Sequence, residues 1–193
     1  MERQTDGAQS ISIATRRLLL RDFREEDWPA AHAYRADPEV TRYMLTMEPE
    51  SPEQTRAWSG RLIEERQRQP RRWYTLAIVL QAEDRVIGQV SIGPSAEDFP
   101  AEGEIGFGYM LHRDTWGQGY ASEAARAIVR FGFDVLGAQQ VSAWCFAENR
   151  ASARVLEKAG LHLALREEDV NPKTDQSRIS LKYTIMRGTT SVD

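Results

Sequence analysis

Apolar positions alternate with small or polar ones through residues 104–111, putting Ile105, Phe107, Tyr109 and Leu111 on one face of a strand and Glu104, Gly106, Gly108 and Met110 on the other. The period then lengthens. Over residues 121–136, Ala121, Ala124, Ala125, Ile128, Gly132 and Val135 recur at helical spacing, and Gly137 ends the helix. Upstream, residues 17–23 read as a first strand, and Asp27 caps a short helix carrying Trp28, Ala31 and Tyr34 that stops near Asp37-Pro38. Ser51-Pro52-Glu53-Gln54 opens another helix with a capping-box pair and proline at its first position, its apolar face built on Trp58 and Leu62. Residues 73–80 and 86–92 are β-rich runs joined by a hairpin at 81–85, and a polar loop follows at 93–103. Residues 141–146 read as a strand, 152–159 as a helix stopped by Gly160, and Ile179, Leu181, Tyr183 and Ile185 alternate as a final strand.

Hairpin and crossover connections in one chain predict an α/β (mixed α+β) fold, a central mixed sheet flanked by helices. With 193 residues, one domain over 15–186 suffices, between a loose leader at 1–14 and a tail at 187–193. Charge narrows the partners. A net charge of −4 disfavours general nucleic-acid binding, and no run is apolar enough for a membrane span, so a cytoplasmic protein is expected. The one cysteine, Cys145, lies in an apolar run and is assigned to packing, and His32, His112 and His162 lack metal-ligand spacing, so no metal is expected. Arg56, Arg61, Arg66, Arg68, Arg71 and Arg72 alternate with Glu64 and Glu65 and read as a solvated helix face with internal ion pairs.

The chemistry concentrates where the strand at 104–111 runs through Trp116-Gly117-Gln118-Gly119-Tyr120-Ala121-Ser122 into a helix. Glycines allow a tight turn, and a first helical turn offers free amides and a positive dipole end, which together form a phosphate cradle. A P-loop would need Gly-Lys-Ser/Thr, which is absent; a dinucleotide fingerprint would need a third glycine and a later acid, where Gln139-Gln140 stand. On the strand itself, Glu104 beside two glycines looks like a cleft with room for a ligand, because glycine otherwise weakens a strand.

The segment Trp116 to Ala121 resembles the Gln/Arg-x-x-Gly-x-Gly/Ala signature of the GNAT superfamily of acetyl-CoA-dependent N-acetyltransferases, except at its first position. Tryptophan there, followed by Gly-x-Gly-Tyr-Ala-Ser-Glu-Ala, is similar to the ribosomal-protein N-terminal acetyltransferase branch. Asn149-Arg150-Ala151-Ser152 with Glu157-Lys158-Ala159-Gly160-Leu161 resembles a second block of the same superfamily. The resemblance implies a mostly antiparallel sheet with a V-shaped splay between the strands at 104–111 and 141–146. It implies pantetheine against Tyr109, Met110 and Leu111, pyrophosphate on the amides of Trp116, Gly117, Gln118, Gly119, Tyr120, Ala121 and Ser122, and Asn149 and Ser152 near the sulfur. Asn149 serves a plain helix N-cap equally well. Many relatives carry a tyrosine as general acid where this chain has Leu156, which leaves Ser152 or a water to protonate the thiolate.

The function expected is acetyl transfer from acetyl-CoA to a primary amine by direct attack, with Glu104 as general base and His112 in reserve. The acceptor is a protein N-terminal α-amine or a small molecule, an antibiotic amine among them. A homodimer is left open. The acidic loop Glu97, Asp98 and Glu102, and Met44, Leu45 and Met47, would border the acceptor. The rival reading is a non-catalytic acyl-CoA-binding module.

Overall fold

A computed structural model describes residues 10–44, 48–94, 103–170 and 177–189. The strands are β1 (Ser12–Ala14), β2 (Leu18–Asp22), β3 (Tyr74–Leu80), β4 (Arg85–Pro94), β5 (Glu104–Leu111), β6 (Gln140–Phe146), β7 (His162–Val170) and β8 (Ser177–Met186). The helices are α1 (Trp28–Arg35), α2 (Pro38–Thr41), α3 (Pro52–Arg66), α4 (Tyr120–Asp134) and α5 (Arg150–Lys158). All these strands share one sheet in the order β1-β2-β3-β4-β5-β6-β8-β7, parallel at β5–β6 and antiparallel at every other neighbour.

Helices cover both faces, and the strand alternation decides which side chains each face receives. Phe107 and Leu111 of β5 enter the larger core with Ile128 of α4 and Leu156 of α5. Met110 enters the smaller one with Phe23, Tyr34 and Val79. Burying each large aliphatic side chain stabilises the fold by about 1.5–3 kcal/mol. Gly132 lets α4 approach the sheet, since a Cβ there would lie 2.9 Å from Ile105 Cδ1 and 3.1 Å from Ile92 Cδ1. The capping box of α3 forms as read, Ser51 N donating to Gln54 Oε1 at 2.7 Å and Gln54 N to Ser51 Oγ at 3.3 Å.

Several expectations need correction. Ser12–Ala14, placed in the leader, pairs with β2 as an edge strand. At the other end, Arg187, the first residue of the expected tail, is tied back by its amide to Gln139 O at 2.8 Å and by its guanidinium to Phe133 O. Asp27 does not cap α1 with its side chain. It accepts Arg21 at 2.6 and 2.9 Å instead, a buried pair whose disruption would strand a charge at a cost of about 3–5 kcal/mol. Arg71 leaves its run to pair with Asp22 at 2.6 Å, 11% exposed. β7 escaped the sequence because most of its side chains face solvent, Leu163 and Leu165 included, so it carries no one-sided apolar pattern. Backbone pairing with β8 alone makes it a strand.

Candidate active site

The β5–β6 ladder is short. It pairs Glu104 with Gln140, Ile105 with Val141 and Gly106 with Ser142, and then stops, although both strands continue. Beyond Gly106 the two strands no longer pair, which leaves an opening in the sheet.

On the face shared by Glu104, Gly106 and Gly108 lies a cavity of about 300 Å³ lined by Trp73, Gln89, Ser91, Ser142, Trp144 and Met44 among others. Register with β4 is unbroken from Gly88 to Pro94, so the β5 glycines mark no bulge. A Cβ on Gly108 would meet nothing within 4 Å, which is the room that the empty strand face suggested. Glu104, its side chain 11% exposed, pairs with Lys182 of β8 at 2.7 Å, and Lys182 Nζ stands 5.9 Å from the Trp144 ring. Beneath the cavity a buried network runs through Gln89, whose Oε1 accepts from Tyr34 Oη at 3.2 Å and Arg35 Nη1 at 3.0 Å. Arg35 also grips Glu50 at 2.8 and 2.5 Å. Burial pushes the Glu50 carboxyl up, but the hydrogen bonds and charge of Arg35, with Thr55, hold it below 4.5 on balance.

On the opposite face Tyr109 Oη and Ser152 Oγ lie 2.9 Å apart, joining β5 to α5 across the mouth of the opening. Burial pushes the Tyr109 phenol up to about 12 despite the Ser152 hydrogen bond. Cys145 of β6 is half-buried beside the same hydroxyl; burial raises its thiol to about 11, against the Ser152 bond. Asn149 Oδ1 accepts from Ser152 N at 3.0 Å, so its oxygen is the N-cap of α5.

Between these faces the chain turns from β5 into α4. Gly117 and Gly119 have φ of +74° and +82°, the left-handed region that favours glycine. The first helical bond of α4 is Glu123 N to Gly119 O, so the amides of Tyr120, Ala121 and Ser122 have no carbonyl partner within the helix. Trp116 is half-exposed and donates from Nε1 to Leu111 O at 2.9 Å. Arg17, read from the sequence only as the start of the first strand, pins the turn: it donates to Gln118 O at 3.0 Å, pairs with Glu123 at 2.7 Å and lies 4.4 Å over Tyr120. This backbone of free amides and left-handed glycines fits a diphosphate.

Glu104, in the paired part of the ladder, and the Tyr109–Ser152 pair, beyond its end, thus lie on opposite faces of β5. His112 does not join them. It lies past the far end of β5, about 26 Å from Glu104 along the strand, bonded to Asp114 at 2.8 Å. Glu97, Asp98 and Glu102, like Leu45 and Met47, fall outside the described residues. Lys182, Trp73, Trp144 and the Tyr34–Arg35–Gln89 network were missed; the β6–β8 register that sets Lys182 opposite Trp144 is fixed only by the fold. Among the described residues no helix is long and apolar enough to cross a membrane.

An acetyltransferase (GNAT) domain family matches residues 17–162. The uncharacterised N-acetyltransferase YnaD of Bacillus subtilis (strain 168) is 30% identical over 154 residues, covering 78% of this chain and 82% of YnaD. Among solved structures, an acetyltransferase (GNAT family) from Bacillus anthracis aligns at TM-score 0.78 and 26% identity over 91% of this chain and 98% of its own. The spermidine N-acetyltransferase of Vibrio cholerae, in complex with CoA and spermine, shares the fold at TM-score 0.74 and 16% identity, over 89% and 96% of the two chains.

Proposed function

Because the chain belongs to the GNAT acetyltransferase family, we propose that it moves an acetyl group from acetyl-CoA to a primary amine by direct attack through the opening between β5 and β6. The observation that carries this reading is the early end of the β5–β6 ladder, with a carboxylate on one face and a hydroxyl pair on the other. Acetyl-CoA supplies the acetyl thioester. Backbone atoms at Tyr109, Met110 and Leu111 line its pantetheine, the amides from Gly117 to Ser122 take its pyrophosphate, the expected Trp116 amide being spent on Arg113 O at 3.2 Å, and Asn149 holds the start of α5 beside its sulfur.

The amine enters from the cavity face. An alkylammonium near pKa 10 is almost wholly protonated at neutral pH and cannot attack, so Glu104 takes its proton, directly or through a water. The new C–N bond forms as the C–S bond breaks, and Ser152 or a water it holds returns a proton to the departing thiolate. Cys145 takes no covalent part, because a thiol held near 11 is a poor nucleophile at neutral pH. The glycine turn and the Asn149–Leu161 block support placement in the ribosomal-protein N-terminal acetyltransferase branch, with a protein α-amine or a small-molecule amine as acceptor. Leu156, buried in the core where relatives carry a tyrosine, supports the rival of an acyl-CoA-binding module without turnover.

Glu104→Gln decides between them. It keeps size but removes the basic site, so acetyl-CoA affinity should hold while kcat falls by roughly 10²–10⁴. The wild-type rate should rise with pH through an ionisation that the variant lacks, and His112→Ala should leave the rate within about threefold on the same general-base logic. Full activity in Glu104→Gln removes the base assignment. No thiol release from the wild type with any amine leaves the binding-module reading.

A further inference from the structure

Gln89 is a buried polar side chain that the transfer chemistry does not use, 8% exposed on the cavity floor. Two donors converge on one end of its amide, Arg35 at 3.0 Å and Tyr34 at 3.2 Å. A guanidinium can only donate, so that end is the oxygen, and the planar group turns Nε2 with its two hydrogens the other way. Among the described residues Gln89 makes no hydrogen bond through Nε2. The oxygen cannot swing round to fill the cavity, because Arg35 is itself fixed by Glu50 at 2.8 and 2.5 Å and lies 3.8 Å over the Trp58 ring. Nearby hydroxyls are already engaged, Ser91 with Thr75 at 3.0 Å and Ser142 with Ile105 O at 3.4 Å. The floor therefore presents a preset amide donor.

We propose that Gln89 is a specificity-determining residue that selects acceptor amines carrying a hydrogen-bond-accepting oxygen, an amide carbonyl or a hydroxyl, and disfavours polyamines. This rests on the acetyltransferase reading and names the acceptor chemistry of the same site. Gln89 is in register with Met110, and the sheet opens beyond Gly106, so the oxygen belongs about 7–10 Å from the reacting nitrogen. An acceptor without that oxygen strips water from the amide donor and returns no bond. A second ammonium fares no better, since it can only donate and the Gln89 amide, its oxygen taken by Arg35 and Tyr34, offers it only the hydrogens of Nε2.

The test is acetyl-CoA-dependent thiol release with matched amines of near-equal basicity: an ω-amino amide with its oxygen in that range, the alkylamine of equal length, and spermidine. Wild type should favour the amide by about 10- to 100-fold in kcat/KM, the usual worth of a buried donor left unpaired. Gln89→Glu keeps an oxygen for Arg35 and Tyr34 but removes both donors, so the preference should collapse toward unity while the thermal shift given by acetyl-CoA persists. Equal use of the pair by wild type, or an unchanged preference in a folded Gln89→Glu, overturns the assignment and leaves the transfer reading standing. Should the variant not fold, the wild-type pair alone decides. Thiol release with no amine at all overturns the transfer reading and this one with it.

Discussion

Cys145, Ser152 and Tyr109 meet at the opening of the sheet, and burial keeps the thiol and the phenol protonated where the departing sulfur would need donors rather than rival nucleophiles. The sequence put Cys145 in a buried strand; the side chain is in fact half-buried, next to Ser152, because β6 loses its β5 partner before reaching it. With the thiol raised from 9.0 to about 11, its thiolate fraction at pH 8 is about a hundredfold below that of an ordinary thiol. Alkylation by iodoacetamide should accordingly be slow at pH 8 and climb about tenfold per pH unit to near pH 11. Labelling at pH 8 as fast as a free thiol would contradict the burial. Glu104 and Lys182, which pair with each other, differ in legibility. Glu104 was visible because its glycine neighbours empty the strand face, whereas Lys182 sits in an ordinary alternating strand and gains meaning only from the carboxylate it meets.

The turn into α4 shows how much one element end contributes. Gly119 adopts φ +82° as the N-cap, where a β-branched residue is strained by about 1–2 kcal/mol. A Cβ there would meet only Arg17 Nη2 at 3.5 Å, so a side chain would project toward the space before the free amides without an internal clash. Gly119→Val should therefore still fold but lose the rise in thermal midpoint that acetyl-CoA gives the wild type. Gly137→Val is the control. It imposes the same kind of strain at φ +73°, at the other end of the helix, and should keep that rise. A full rise in Gly119→Val would move the cofactor away from this turn.

Across the whole molecule, the turn that presents these amides is tied to the first strands of the sheet. Glu123 Oε1 accepts from Thr15 Oγ1 at 2.7 Å and from Arg17 N at 2.8 Å, and Oε2 from Arg17 Nε at 2.7 Å. Burial pushes the Glu123 carboxyl up, but these bonds outweigh it and its value falls below 4.5. A carboxylate depressed by folding contributes stability that is fully present above its unfolded pKa and lost as pH falls through the folded one. Glu123→Gln should thus cost about 1–3 kcal/mol at pH 7, and the gap from wild type should narrow below pH 4.5 in denaturant unfolding at stepped pH. A gap that stays constant down to pH 3 would mean that the charge contributes nothing. Glu50, depressed with Arg35 as partner, should add to the same acid limb.

Taken alone, the sequence determined what depends on local order. It determined the alternating face of β5, the stripe of α4, the capping box of α3, and the glycine turn whose left-handed backbone no other residue type adopts as readily. The strand face that carries Glu104, the helix start that carries Ser152 and the turn from Gly117 to Ser122 were legible because each is a local pattern. What only the tertiary structure decided depends on register between distant segments. β1 and β7 are edge strands made by pairing rather than by an apolar face. The point at which β5 leaves β6, the Lys182 partner of Glu104 and the amide of Gln89 turned by Arg35 all join residues tens of positions apart. No periodicity encodes such contacts, because a side chain's neighbours across a sheet are fixed by which strands pair and where the pairing ends.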